Sequence, residues 1–138
     1  MSTSRLAIQI VRKKLKNKRC RFIMKAMNQA EVEKYVLSFP NAVREYPFGE
    51  GLAVYKVGGE IFAIIKEGKN PVQISLKCDP LLSKVLRQRY ESVMPGDHLH
   101  KKYWNTLVLS GQLNWQEVQD LIRHSHDLVV AQLTPKIS

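Results

Sequence analysis

The residues whose types and spacing best suit chemistry lie in the run 98–106, which reads His-Leu-His-Lys-Lys-Tyr-Trp-Asn-Thr. Basic residues interleaved with aromatic rings and an amide are typical of surfaces that bind nucleic acid. The candidate binding residues are those with a positive charge, a large ring, an amide or an imidazole: Lys101, Lys102, Trp104, Asn105 and His98. In this interpretation the lysines contact phosphates, the tryptophan or Tyr103 stacks on a base, and the asparagine pairs with a base edge.

The same run also has a structural interpretation. Trp104 would then be a core aromatic residue that leads into a strand, and His98, His100 and the two lysines would form a solvated rim beside it. Aromatic side chains bury large areas in protein cores as well as at binding surfaces. Residue chemistry alone favours this second interpretation.

Histidine spacing offers little for a metal ion. His124 and His126 are two positions apart on a predicted helix, where side chains at i and i+2 point to different sides. His98 and His100 lie in an extended or loop segment and can face the same side, but tetrahedral zinc needs three or four ligands. Asp97 is the only further ligand type nearby, and its adjacent position suits the geometry poorly. We predict no metal ion and no cofactor.

Catalytic motifs with the required spacing are absent from the sequence. It contains no G-x-S-x-G, no P-loop and no G-x-G-x-x-G, and its carboxylates are scattered singly. Cys78 precedes a helix start where the dipole favours a thiolate, but Asp79 opposes that shift and no paired histidine is evident. We predict that the protein is not an enzyme. An enzyme would need the run 98–104 to line a pocket with a perturbed titrating group.

The elements that position the run 98–106 follow from hydrophobic periodicity, caps and turns. Asn28 and Glu31 form a capping-box pair, Gly58-Gly59 predicts a tight hairpin, and Asp79-Pro80 predicts a helix start. Residues 41–51 read as a loop. The predicted elements, in chain order, are a helix from Asn28 to Phe39, strands Leu52–Val57, Glu60–Lys66 and Val72–Lys77, a helix from Asp79 to Tyr90, strands Ser92–Met94 and Thr106–Ser110, and a helix from Asn114 to Val129.

This order predicts an α+β fold of the form α-β(3)-α-β(2)-α. Hairpins imply an antiparallel sheet, so we expect a two-layer sandwich with the helices on one face. The sheet also carries Tyr55, Val57, Phe62 and Ile64 on what would be a second apolar face, more than a one-sided sheet needs. That excess supports an alternative function, a non-enzymatic module that binds a protein partner or a small ligand.

Charge divides the chain into two parts. The net charge is +10, but positions 1–27 hold nine Lys or Arg residues and no acidic residue. Residues 28–138 hold 13 basic and 12 acidic residues and are nearly balanced. We therefore predict a basic N-terminal extension, 1–27, and one domain, 28–138. Any strong affinity of the whole chain for phosphate backbones would come mostly from the extension.

The extension has three interpretations. It is a basic arm for nucleic acid or another anionic surface, a partly amphipathic helix, or an upstream extension of a reading frame that starts at Met24 or Met27. Leu6, Ile10 and Phe22 do not sustain a convincing helical stripe. The capping box directly after Met27 favours the third interpretation.

Composition excludes a membrane protein and a secreted one. No apolar run approaches the roughly 20 residues of a membrane helix, and no secretory signal is evident. Two cysteines, Cys20 and Cys78, have no framework spacing, which suits a reducing compartment. We expect a cytoplasmic monomer.

Several ordered blocks resemble the YjbR/MmcQ-type proteins. They are Pro47-Phe48-Gly49 before a strand, Val57-Gly58-Gly59 at the hairpin, Ser75-Leu76-Lys77 before the second helix, and the run 98–106 before a strand and Gly111. The resemblance covers about 28–138 and leaves the extension outside. It implies a CyaY-like α-β(3)-α-β(2)-α fold and DNA binding, described for the family as a "double wing", with no enzyme activity or cofactor.

The family pattern in this run is His-x-Asn-Lys-x-His-Trp-x-Thr. His98, Lys101, Trp104 and Thr106 match it. Where the pattern has Asn and His, this chain has His100 and Tyr103. The resemblance therefore does not carry over a role, such as amide readout or proton transfer, that needs those two side chains.

Overall fold

The computed structural model describes residues 27–96 and 99–133. Within these ranges it has three helices and six strands. In chain order they are α1 (Gln29–Leu37), β1 (Val43–Glu45), β2 (Leu52–Val57), β3 (Glu60–Lys66), β4 (Gln73–Lys77), α2 (Pro80–Arg89), β5 (Val93–Pro95), β6 (Trp104–Val108) and α3 (Trp115–Leu133). None of these helices is both long enough and apolar enough to cross a membrane.

Helix α1 begins as its cap predicts. The Asn28 Oδ1 accepts the backbone N–H of Glu31 at 2.8 Å, and the two side chains also bond each other at 2.7 Å. Val32 and Val36 on the inner side of the helix are fully buried. Met27, one residue before the predicted domain boundary, is 8% exposed and joins the core.

The sheet is antiparallel throughout, in the order β1-β2-β3-β4-β6-β5. Gly58 and Gly59 join β2 to β3 with φ of 59° and 82°, as a type I′ hairpin requires. Strand β1 lies in the segment predicted as a loop. Its three residues are all exposed, so the sequence shows no alternation of buried and exposed side chains that would predict a strand. The segment is a strand because it pairs with β2.

One hydrophobic core lies between the helices and one face of the sheet. Buried residues of all three helices and of β2, β3, β4 and β6 form a single cluster, which confirms the two-layer α+β fold. Each buried Leu or Ile contributes about 1.5–3 kcal/mol. Leu81, predicted in the buried stripe of α2, is instead 56% exposed. It sits in the first turn of that helix, whose core contacts come from Leu82 and Leu86.

The prediction of a second apolar face is wrong, because the four side chains that would form it are buried. Tyr55, Val57 and Phe62 belong to the core under the helices. Ile64 alternates with core residues and so points to the other face, but only 5% of it is exposed. A register shift between β2 and β3 at Tyr55 breaks the simple alternation that the sequence prediction used.

Strand β6 begins at Trp104, two residues earlier than predicted. Trp104 pairs with Lys77 of β4, and Asn105 pairs with Leu76. Part of the run 98–106 is therefore strand, not loop. This difference decides which of its side chains can reach a ligand.

Candidate nucleic-acid interface

The basic loop, residues 99–103, leads into β6 and is folded back on itself. The carbonyl of His100 accepts the backbone N–H groups of both Tyr103 and Trp104 at 3.0 Å. The His100 Nδ1 accepts the N–H of Lys102 at 3.3 Å. The Tyr103 carbonyl in turn accepts the N–H of Cys78 at 2.7 Å, which ties the loop to the end of β4. These bonds fix the loop backbone before any ligand arrives.

Arg87 of α2 fastens the basic loop to the domain. Its Nε donates to the Asn105 Oδ1 at 2.7 Å, and its Nη2 donates to the carbonyls of Lys101 and Trp104, the latter at 3.0 Å. The planar guanidinium thus holds both the loop and the first residues of β6. Sequence reasoning did not assign Arg87 this role. The only local signal is its position directly after buried Leu86, at the margin of the helix's apolar stripe.

Asn105 is buried, which corrects the role predicted for it. Its side chain is 2% exposed and its amide oxygen is bonded to Arg87. It lines a cavity of about 10 Å³ together with Leu76, Cys78 and other residues, and its Nδ2 has no partner among the described residues. In this position Asn105 cannot reach a base edge. It acts as the acceptor that orients Arg87.

Trp104 takes an intermediate position between the two sequence interpretations. It is half-buried, and it shares its sheet face with Lys77, the residue it pairs with across the ladder. Gly96 lies against it so closely that a Cβ there would come within 2.8 Å of the Trp104 Cβ. The ring therefore lies at the start of an interior strand, neither in the core cluster nor fully exposed.

The exposed side chains of the basic loop are Lys101, Lys102, Tyr103 and His100. Tyr103 is 39% exposed. Its ring centroid lies 4.9 Å from that of His100 at a tilt of 50°, and the Lys102 Nζ lies 5.8 Å from its centroid. The remaining predicted residue, His98, falls outside the described residues, as does Asp97.

Positive charge collects where α2 meets the basic loop. Residues 80–90 and 99–109 hold five basic residues and no acidic residue. Lys84 and Arg87 are three positions apart on α2 and so share one side of it, whereas Arg89 points to another side. Lys84, Arg87, Lys101 and Lys102 form what we call the basic surface. None of the four has an ion-pair partner among the described residues, and the acceptors that Arg87 meets are all neutral.

Other candidate chemistry is not assembled. Burial raises the pKa of Cys78 to about 11, which keeps it a thiol at neutral pH. The His124 Nε2 accepts the N–H of Asp79, while His126 stacks on Phe39, so the two imidazoles face different neighbours. In 27–96 and 99–133 no three His, Cys, Asp or Glu residues are grouped so that they could hold a metal ion.

Comparison with known proteins identifies relatives across most of the chain. A family model described as YjbR matches residues 37–128. The uncharacterised protein YbdF of Escherichia coli O157:H7 is 35% identical over 98 residues, which cover 71% of this chain and 80% of YbdF. The uncharacterised protein YjbR of Escherichia coli K12 is 32% identical over 104 residues, which cover 75% of this chain and 88% of YjbR.

Solved structures show the same fold. A crystal structure of the Deinococcus radiodurans protein DR2400, with a DUF419 family-model domain, superposes with a TM-score of 0.73 at 30% identity. It is matched over 76% of this chain and 80% of its own. A Pseudomonas syringae protein superposes with a TM-score of 0.63 at 26% identity, over 74% and 98% of the two chains. Together these matches confirm the family predicted from the ordered sequence blocks.

Proposed function

We propose that this chain, which belongs to the YjbR family, binds nucleic acid weakly through the basic surface. The observation that carries the proposal is local charge: the two segments that meet at Arg87 hold five basic residues and no acidic one, in a domain whose charges nearly balance as a whole. Phosphate oxygens are natural partners for such unpaired lysines. Lys101 and Lys102 contact phosphates, and Lys84 extends the positive track along α2.

Arg87 contributes in two ways. Its side chain is occupied by three neutral acceptors, so it holds the loop in place. Its charge is not cancelled by any carboxylate in those contacts and still adds to the local potential. Trp104, a half-buried ring at the start of β6, and His98, by its position in the sequence, remain part of the proposal.

The affinity expected from so few contacts is modest. Non-specific DNA binding at physiological salt has dissociation constants of about 10⁻⁴–10⁻⁶ M. The basic extension, 1–27, adds sequence-independent attraction of its own. We propose action by binding in the cytoplasm rather than by catalysis. The buried Cys78 thiol, whose pKa burial raises to about 11, supports that choice.

The test compares two double variants of the full chain. Lys101→Ala with Lys102→Ala removes two charges from the basic surface, and Lys34→Ala with Lys69→Ala removes two exposed charges elsewhere. Affinity for a labelled oligonucleotide is measured against salt concentration. We expect the first pair to lower the slope of log K against log salt by about 2, one for each phosphate contact. The control pair leaves the slope nearly unchanged.

Both variants keep the extension, so its contribution to the affinity is the same in each and does not affect the comparison. If the two pairs weaken binding equally, only net charge matters, and the basic surface is not the site. If the chain shows no salt-dependent affinity at all, the proposal of nucleic-acid binding fails entirely.

A second candidate function, binding of a protein partner, is favoured by one observation at the other edge of the sheet. Val43, Tyr46 and Phe48, in β1 and just after it, are 49%, 42% and 63% exposed. Edge strands with apolar side chains readily accept another chain. A photoreactive residue at position 48 would crosslink a defined partner in cells, and Val43→Asp would abolish that crosslink. Sedimentation of the purified chain tests the expected monomer.

A further inference from the structure

The basic loop presents one aromatic ring on a rigid backbone. Tyr103 donates its N–H to the His100 carbonyl at 3.0 Å, and its carbonyl accepts the N–H of Cys78 at 2.7 Å. Arg87 donates to the carbonyls of Lys101 and Trp104, which lie two residues before and one residue after Tyr103. An exposed ring usually loses freedom when it binds a ligand, but this one stands on a backbone that is already fixed.

The surroundings of this ring are those of a stacking site. The Lys102 Nζ lies 5.8 Å from the ring centroid, and the His100 ring supports it at 4.9 Å on a tilt of 50°. Proteins that bind single strands combine such an aromatic ring, on which a base stacks, with flanking positive charge.

A duplex offers such a ring no free base face, because neighbouring bases cover each face and a base step must be unstacked, at an energetic cost, before a side chain can enter. An unpaired base exposes a whole face. The side chain that would read a groove edge, Asn105, is 2% exposed and bonded to Arg87. The surface therefore offers stacking and phosphate contacts, and no polar group of β6 for base-edge readout.

We propose that the basic surface binds single-stranded nucleic acid, with one unpaired base stacked on Tyr103 and the flanking phosphates on Lys101 and Lys102. This inference rests on the proposed function of the same surface. It predicts little sequence preference, because every base has a face on which to stack. Single-stranded DNA and RNA share the required chemistry.

The experiment uses the full chain and labelled strands of about 12 nucleotides, within the usual site size of such proteins. DNA and RNA single strands are compared with a blunt duplex of the same length. We expect tighter binding to a single strand, and Tyr103→Ala to weaken it by about 5- to 150-fold, the equivalent of about 1–3 kcal/mol for one stacked base. The salt slope stays constant in this variant, because no charge is removed.

Two further variants control the result. Tyr46, 42% exposed at the opposite edge, matches Tyr103 in exposure, so Tyr46→Ala leaves single-strand affinity unchanged. Tyr103→Phe keeps the ring and restores most of the affinity that alanine loses. Both results support stacking over a general loss of folding, which circular dichroism checks in parallel.

The outcomes separate this inference from the proposed function. Equal or tighter duplex binding, with no effect of Tyr103→Ala, overturns single-strand stacking while Lys101 and Lys102 can still be shown to matter. If the two lysines make no local contribution either, the proposed function fails and the inference fails with it. A preference for one of the two single-stranded probes identifies DNA or RNA as the source of the ligand.

Discussion

The Nε of Arg87 donates to the amide oxygen of Asn105 at 2.7 Å, which joins α2 to the first residues of β6. Arg87 is half-buried, and Asn105 is 2% exposed. The same guanidinium also holds the carbonyls of Lys101 and Trp104. The basic loop therefore owes its shape to a helix residue more than ten positions earlier in the chain.

Replacing Arg87 with lysine keeps the charge but loses the planar fork. A lysine ammonium cannot reach the three acceptors in the same geometry. We expect Arg87→Lys to lower the free energy of unfolding by about 1–3 kcal/mol and to speed amide exchange at Tyr103 and Trp104 by about tenfold or more. Urea denaturation and hydrogen exchange measure the two effects without any ligand.

Arg89→Lys is the matched control, since Arg89 is exposed on another side of the same helix. It should leave exchange in the loop unchanged. Identical exchange at Tyr103 in Arg87→Lys and in the unmodified chain would show that the loop keeps its shape without the guanidinium.

A second prediction concerns Ser125, a fully buried hydroxyl in the middle of α3. Its Oγ donates to the carbonyl of Phe62 at 2.5 Å and accepts the N–H of Lys77 at 2.9 Å. It thus bridges β3 and β4 just beyond their last paired residues, Ala63 and Leu76. Ser125→Ala would leave two backbone groups without partners, and we expect a loss of about 2–4 kcal/mol in urea denaturation.

Ser83 provides the comparison for this prediction. It is 2% exposed on α2, and its buried hydroxyl interacts with the Cys78 thiol, a weak hydrogen-bonding group, and not with a backbone group of the sheet. Ser83→Ala loses only this weak contact and improves helix propensity, so stability should change by less than about 1 kcal/mol. Equal losses in the two variants would contradict the bridging role of Ser125.

The parts of the fold that the sequence predicts are those specified by near neighbours. The Asn28–Glu31 cap, the Gly58-Gly59 turn and the Asp79-Pro80 helix start each depend on residues within a few positions, and all three are confirmed. Strand β1 was missed because its residues are exposed throughout, so burial leaves no pattern in its sequence.

The candidate site is only partly predictable, because some of its contacts join residues that are far apart in the sequence. Lys101 and Lys102 are recognisable by type alone, and both are exposed as expected. The burial of Asn105 depends on Arg87, 18 positions away, and on a strand that starts two residues before the predicted one. Short-range patterns carry no information about such a contact, so the sequence predicts a base contact for an amide whose oxygen accepts from Arg87.

The last prediction concerns pH and the start of α2. The His124 Nε2 accepts the N–H of Asp79 at 3.2 Å, a bond that only the unprotonated nitrogen can make. Burial lowers the pKa of His124, and the carboxylates of Asp79 and Asp127 oppose this shift without cancelling it. In the unfolded chain the histidine pKa is about 6.5.

Above about pH 6.5 the imidazole is neutral in both states and contributes no pH dependence. As the pH falls below that value, the unfolded chain takes up a proton that the folded chain resists, so stability decreases by at most about 1.4 kcal/mol per pH unit from this group. His124→Gln keeps an acceptor oxygen but cannot titrate, and its stability profile should be flatter by that amount. Parallel profiles for His124→Gln and the unmodified chain, in urea denaturation between about pH 7.5 and pH 5, would exclude His124 as the source of acid sensitivity.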